Sequence, residues 1–446
     1  MKYKSSIYNV VISELEEGRK LFYNTYSGIF SIMDKETFNI CENIKHYCPT
    51  SVSDEKITRN IDLMLRTGYI VDADKDELST LKLERVRNRH RNQVLLLTIA
   101  LTMDCNMNCP YCYEKRNLSS IGELQLGQLY DFVKVHFNTN PDIKKLSVTW
   151  YGGEPLLQKE AIYSLSEKFI ELCNENEKKY SASIITNGVL LDTDTANKLA
   201  TDCKVTYAQI TIDGMRELHN KRRILSDGKD SFEIITNNID ACKDIIRVNV
   251  RVNTDKENAG DIDAMLNHFI NERGWKSNPS FYLSPIEIDE ESGCVADKTL
   301  CLQGEEFADI KIKSIRASYT ADRVNVAHTF FPSRKTVFCA GEGSLNYVVD
   351  PGGNIYNCFR HVGIEEHITG HISKPFLVTE NYGKWLLADI HENCKKCVYL
   401  PMCMSGCALY RFSDKGEPKC FHTSFTYKDV LKLAYEDYMT QKSILQ

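Results

Sequence analysis

Apolar and polar positions along the chain follow three successive regimes. From Gln93 onward, short runs rich in branched aliphatic residues alternate with longer stretches whose apolar residues recur at helical spacing. QVLLLTIALTMD, KLSVTWYGG, SASIITNG, YAQITIDG, RVNVRVNT and PSFYLSPI read as strands. LQLGQLYDFVKVHF, KEAIYSLSEKFIELCNEN, TDTANKLATDC, DSFEIITNNIDACKDI and AGDIDAMLNHFINERG, which lie between them, read as helices. Six strands with intervening helices predict an α/β fold over residues 94–300, as a parallel sheet or partial barrel. In such folds the chemistry sits at the carboxyl ends of the strands.

Residues 1–81 follow a different pattern. SIYNVVISEL and KLFYNTYSGIFSIM suit strands, and DKETFNICENIKHY has a helical start signal at Asp34 and an apolar stripe at Phe38, Ile40 and Ile44. DEKITRNIDLMLRTG repeats that logic and runs into the short strand YIVD. Hairpin, helix, helix, strand predicts an α+β module of winged-helix-like order. Residues 82–93 hold four arginines and a histidine and read as a solvated helix or basic linker. After residue 300 the alternation stops. NYVVD-PGGN-IYNC predicts a hairpin with a Pro-Gly-Gly turn. The rest of 301–446 has short elements and many cysteines, so it is expected to need metal for order.

Composition narrows the classes. Of 446 residues, 42% are apolar and 26% charged, an ordinary globular balance, and the length calls for more than one domain. A net charge of −6 argues against a nucleic-acid partner. No run of apolar residues is long enough for a membrane span, and the N-terminus shows no secretory signal, so a cytoplasmic location is expected. The 17 cysteines change the picture most. Ten fall in two dense groups whose spacings favour metal or redox chemistry. Cys41, Cys48, Cys173, Cys203, Cys242, Cys294 and Cys301 are scattered, and most are expected to be small buried apolar residues.

The first group is DCNMNCPYCYEK, with Cys105, Cys109 and Cys112 on one loop after the first core strand. A zinc site wants a fourth ligand, and this loop offers no histidine or further cysteine. A [4Fe–4S] cluster takes one thiolate per iron, so three thiolates leave one iron open to a ligand. Cys105-x3-Cys109-x2-Cys112 with Tyr111, followed by Tyr151-Gly152-Gly153-Glu154-Pro155, resembles the radical S-adenosylmethionine (SAM) enzymes. That resemblance implies a partial, TIM-like barrel whose open iron chelates SAM. It also implies reductive cleavage of SAM to a 5′-deoxyadenosyl radical, and a GGE segment (Gly152, Gly153, Glu154) that holds the SAM amino group. Thr186-Asn187-Gly188 and Thr211 resemble the later strand ends that touch the adenosyl part. Arg223 and Arg251 are candidates for the SAM carboxylate, set against a role in surface ion pairs.

The second group, Cys339, Cys358, Cys394-x2-Cys397-x5-Cys403-x3-Cys407 and Cys420, resembles the SPASM extension, which carries two auxiliary [4Fe–4S] clusters. The resemblance implies Cys394, Cys397, Cys403 and Cys420 on one cluster, and Cys339, Cys358 and Cys407 on the other. The fourth ligand of the latter is open: absent, supplied by substrate, or drawn from Cys294 or Cys301. A zinc ribbon is the alternative for this group alone. SPASM proteins include anaerobic sulfatase maturases and maturases of ribosomally made peptides. The long segment before Cys105 resembles leader-recognition elements of the peptide maturases, which bind a leader by strand addition. Sulfatase maturases typically carry an acid directly after the cysteine at Cys358, where this chain has Phe359-Arg360-His361. The expected function is therefore a peptide maturase that installs a cross-link, thioether ahead of carbon–carbon. It would use three [4Fe–4S] clusters, SAM, a precursor peptide with a leader, and an electron donor such as ferredoxin or flavodoxin. A sulfatase maturase and a non-catalytic metal-binding protein are the alternatives.

Overall fold

The computed structural model describes residues 2–46, 55–91, 93–275, 278–287, 297–320, 331–412, 418–420 and 422–444, so Cys48 and Cys294 lie outside the described residues. The chain divides into two compact units, both built from separated segments. One comprises Met1–His90, Gly304–Ala340 and Ala388–Gln446; the other comprises Arg91–Gln303 and Gly341–Leu387.

In the first unit, β1 (Tyr3–Ser5) pairs antiparallel with β5 (Ile70–Asp72). The strands β2 (Asn9–Glu14), β3 (Lys20–Asn24) and β4 (Phe30–Met33) form an antiparallel sheet in that order. Helix α1 (Lys35–Glu42) starts where the sequence signals it: the Asp34 carboxylate accepts from the Thr37 amide at 2.7 Å. It packs with α2 (Glu55–Thr67) over Phe22, Ile40, Ile61 and Ile70. Helix α3 (Glu77–Arg89) takes in most of the expected basic linker, and Arg85 and Arg89 are buried in it, so this stretch is not a fully solvated face. The other face of the small sheet is covered by the C-terminal segments. Ile12, Leu21 and Tyr23 share a core with Met402, Tyr427 and Leu431, and Tyr8 and Leu81 share another with Ile390, Leu400 and Met404. The Tyr23 hydroxyl donates to the Pro332 carbonyl at 2.8 Å. The apolar partners that the cysteine-rich segment lacks in its own sequence thus come from the N-terminal residues.

In the second unit the six expected strands are all present: β6 (Val94–Ala100), β7 (Lys145–Tyr151), β8 (Lys179–Thr186), β9 (Val205–Thr211), β10 (Arg247–Thr254) and β11 (Ser280–Pro285). They are parallel neighbours in chain order, with helices α4 (Glu123–Thr139), α5 (Lys159–Glu175), α6 (Thr193–Thr201), α7 (Arg216–Arg222), α8 (Phe232–Cys242) and α9 (Ile262–Asn267) between them. Leu97, Val148, Ile184, Ile210 and Val250 are buried on one face of this sheet. The expected hairpin is β12 (Asn346–Val349) and β13 (Asn354–Tyr356), and β14 (Gly370–His371) follows it. The sequence did not show that β12 also joins the parallel sheet beside β6, with Val348 opposite Thr98. Cys41, Cys173, Cys203 and Cys242 are buried as expected, and Cys301 is half-buried.

Candidate functional site

The cysteine loop leaves β6 and is tied down from two sides. Backbone amides of Asn108 and Ser226 donate to Ile224 and Asn106 carbonyls, at 2.9 Å each, which joins the loop to the segment after α7. On the other side, the amides of Gly153 and Glu154 donate to Thr102 and Asp104 carbonyls, also at 2.9 Å. The two glycines make this possible. A Cβ on Gly152, which has φ +125°, would stand 2.2 Å from the Thr102 oxygen, and one on Gly153 would stand 2.3 Å from the Asp104 oxygen. Their close approach is to the chain's own backbone, where the sequence had suggested approach to a ligand.

Glu154 is fully buried at the end of β7. Its Oε1 accepts from the Leu156 amide at 3.0 Å and the Thr186 hydroxyl at 2.7 Å, and its Oε2 accepts from the Asn187 amide at 2.8 Å. Burial raises the carboxyl pKa above its ordinary value, and these donors oppose the shift. The Asn187 side chain donates to Asn106 Oδ1 at 2.6 Å, which links the end of β8 to the cysteine loop. Thr211 closes β9, half-exposed, opposite Arg251 of β10.

A second polar cluster lies beyond β9. Asp213 is fully buried; it accepts from the Asn253 amide at 2.9 Å and from the Tyr111 hydroxyl. Arg223 Nη1 donates to that same hydroxyl at 2.8 Å, and Nη2 reaches Met107 Sδ at 3.7 Å. Arg223 is buried, which excludes the surface role weighed for it, and its Nε is a buried donor without a partner. Burial raises the Tyr111 hydroxyl pKa well above its ordinary range. Arg251 is likewise no surface ion pair: its partners are Asn253, Tyr282 and Ser284. Sequence reasoning gave Asp213 no role; the one signal was an Asp-Gly step at a strand end.

The residues fit an iron–sulfur cluster. Cys109 is an electrostatic neighbour of both Cys105 and Cys112, and burial pushes those two thiols up to about 12 and about 11. Without iron they stay protonated, so metal loading must release protons. Among the described residues no three His, Cys, Asp or Glu side chains converge on a single ion. The donor set of the loop itself is three thiolates without a fourth protein ligand, which suits a cluster with one iron left open. In the first unit Cys397 and Cys403 are electrostatic neighbours of Cys394, and Cys397 also of Cys420, so this quartet is brought together. The other expected set is divided by the units: Cys339 and Cys407 belong to the first and Cys358 to the second.

Comparison with known proteins defines the class. Residues 99–269 match the radical SAM superfamily, which spans the cysteine loop, the GGE turn and strands β7–β10. The chain carries a radical SAM domain and is an enzyme of that family, which implies a [4Fe–4S] cluster and SAM. When bound, the cluster supplies the electron that cleaves SAM. A cysteine-type anaerobic sulfatase-maturating enzyme of Clostridium novyi (strain NT) is 26% identical over 364 residues, which cover 74% of this chain and 94% of that protein. The radical SAM cyclopropyl synthase TigE of Paramaledivibacter caminithermalis is 22% identical over 438 residues, 90% of this chain and 89% of that one. The structure of Streptococcus suis SuiB bound to precursor peptide SuiA shares the fold, with a TM-score of 0.54 at 14% identity, and covers 95% of this chain and 99% of its own. Among the described residues no helix is long and apolar enough to cross a membrane.

Proposed function

We propose that this chain is a radical SAM peptide maturase that abstracts hydrogen from a ribosomally made precursor peptide and installs a cross-link, a thioether ahead of a carbon–carbon bond. The observation that carries the peptide-maturase part of this reading is the extent of likeness. TigE and SuiB match 90% and 95% of the chain, whereas the Clostridium novyi sulfatase maturase matches 74%. The folded residues ahead of Cys105, with their three-stranded sheet, are the kind of platform on which a leader peptide adds a strand.

In this reading Cys105, Cys109 and Cys112 hold the SAM-binding cluster. Glu154, Thr186, Asn187 and Thr211 face SAM, with the Arg223 guanidinium towards its carboxylate. Cys394, Cys397, Cys403 and Cys420 hold one auxiliary cluster; Cys339, Cys358 and Cys407 hold another. A small cytoplasmic iron–sulfur or flavin protein supplies electrons. A sulfatase maturase is the second reading, favoured by the 26% identity over 94% of that relative's length. Against it, Arg360 stands near the place of the expected acid and is paired with Glu287 at 3.2 Å.

Mass spectrometry separates the readings. The iron-loaded enzyme is incubated with SAM, a reductant and either a leader-bearing cysteine peptide or a sulfatase-derived cysteine peptide. A cross-link removes two hydrogens from the first. Formylglycine formation removes two hydrogens and exchanges sulfur for oxygen in the second, and that outcome would displace the cross-link reading.

A further inference from the structure

A parallel strand covered on both faces reads as a continuous apolar run. Strands β6–β11 alternate instead: their buried positions are largely apolar, and their half-exposed positions are largely polar, including Thr98, Thr149, Ser183, Gln209 and Thr211. Within the carboxyl halves of these strands, Arg251 is the charged residue on the half-exposed face among the described residues. It is also fixed. Its Nε donates to Asn253 Oδ1 at 2.7 Å, Nη2 to Ser284 Oγ at 2.9 Å and Nη1 to the Tyr282 hydroxyl at 3.4 Å. The Tyr282 ring lies beside the guanidinium, 5.9 Å from its carbon, and its hydroxyl donates in turn to Gln209 Oε1 at 2.8 Å.

All of these partners are neutral. Arg222 shows the contrast: its guanidinium meets the carboxylates of Asp255 and Glu257 at 2.5 and 2.8 Å. Three of the five N–H groups of Arg251 are committed, and those left are one on each Nη. That is the fork that takes a carboxylate through two parallel hydrogen bonds. Neutral bonds and a flanking ring hold the fork at low entropic cost, at the end of the sheet where Thr211 and the SAM-site strands finish.

We propose that Arg251 is a specificity residue that receives a carboxylate of the peptide substrate, from an acidic side chain near the reacting residue or from the peptide's C-terminus. This rests on the peptide-maturase reading. In that reading the cation for the SAM carboxylate is Arg223, which donates to Tyr111 of the cysteine loop, so Arg251 is left for the substrate.

The test uses the iron-loaded full chain, SAM, a reductant and a pool of leader-bearing cysteine peptides with randomised positions flanking the cysteine, as free acids and as C-terminal amides. Modified products are sequenced by mass spectrometry, and SAM affinity is measured separately by calorimetry. Wild type should enrich Asp and Glu at a flanking position, or free acids over amides, by about tenfold or more; the two patterns tell the two carboxylate sources apart. Arg251→Gln should abolish that preference without weakening SAM binding, and Arg251→Glu should turn it towards Lys and Arg. Modified peptides without any acid preference in wild type would overturn the role of Arg251 alone, as would loss of SAM affinity in Arg251→Gln. No modified peptide of any composition would remove the peptide-maturase reading and this role together.

Discussion

At the scale of single residues, Glu154 shows how much a carboxylate does before any ligand binds. Its oxygens gather the starts of two loops through Leu156, Thr186 and Asn187. In Glu154→Gln, either orientation of the amide turns an NH2 towards a backbone N–H, of Leu156 or of Asn187. One donor is left buried and unpaired, a cost of about 1–3 kcal/mol. Urea denaturation should show that loss; unchanged stability would mean that the loops do not depend on these bonds. The types and spacing of Gly152, Gly153 and Glu154 are legible in the sequence, and so is their place at a strand end. What the glycines approach is not legible, because the Thr102 and Asp104 carbonyls come near only once β6 and β7 pair. The surface ion pair considered for Arg223 fails for a related reason: nothing in its neighbours along the chain announces burial against Tyr111.

At the scale of elements, helix α4 carries a titration. His136 is buried among Phe132, Tyr347 and Phe376, and burial pushes its imidazole down to about 4. A base whose folded pKa is depressed contributes stability above its unfolded value, and that stability is lost as pH falls. The window runs from about 6.5 down to about 4, worth about 3 kcal/mol. The stability of His136→Phe should fall less steeply than wild type over that window; parallel pH profiles would refute the burial account. The cysteine loop makes a separate expectation. Replacing Cys105, Cys109 and Cys112 together with Ala should remove all 5′-deoxyadenosine formation and only part of the iron, because the Cys394–Cys420 quartet sits in the other unit. Loss of all iron would mean that the clusters load cooperatively. Strands β6–β11 were legible because each is a local apolar pattern. The pairing of β12 with β6 was not, since it joins residues far apart in sequence through backbone bonds that no side-chain pattern encodes.

At the scale of the whole molecule, the N-terminal residues are tied to the C-terminal ones. Deleting Met1–His90 would uncover Met402, Tyr427, Leu431 and Leu400, each worth about 1.5–3 kcal/mol when buried. The truncated chain should be insoluble, or hold less iron than the variant lacking only Cys105, Cys109 and Cys112. A soluble truncation with full iron would show that the shared core is dispensable. The interleaving of segments also sets an order in time. A ribosome releases Met1–His90 ahead of Arg91–Gln303, yet the residues that cover Tyr8, Ile12, Leu21 and Tyr23 follow that segment. The second unit receives Arg91–Gln303 in one piece and can begin to fold during synthesis. The first unit must wait for Gly304–Ala340 and Ala388–Gln446, its half-built sheet open to water and to other nascent chains. Residues made before the barrel strands are thus finished only after them, and each copy carries an unfilled apolar surface through the synthesis of the second unit.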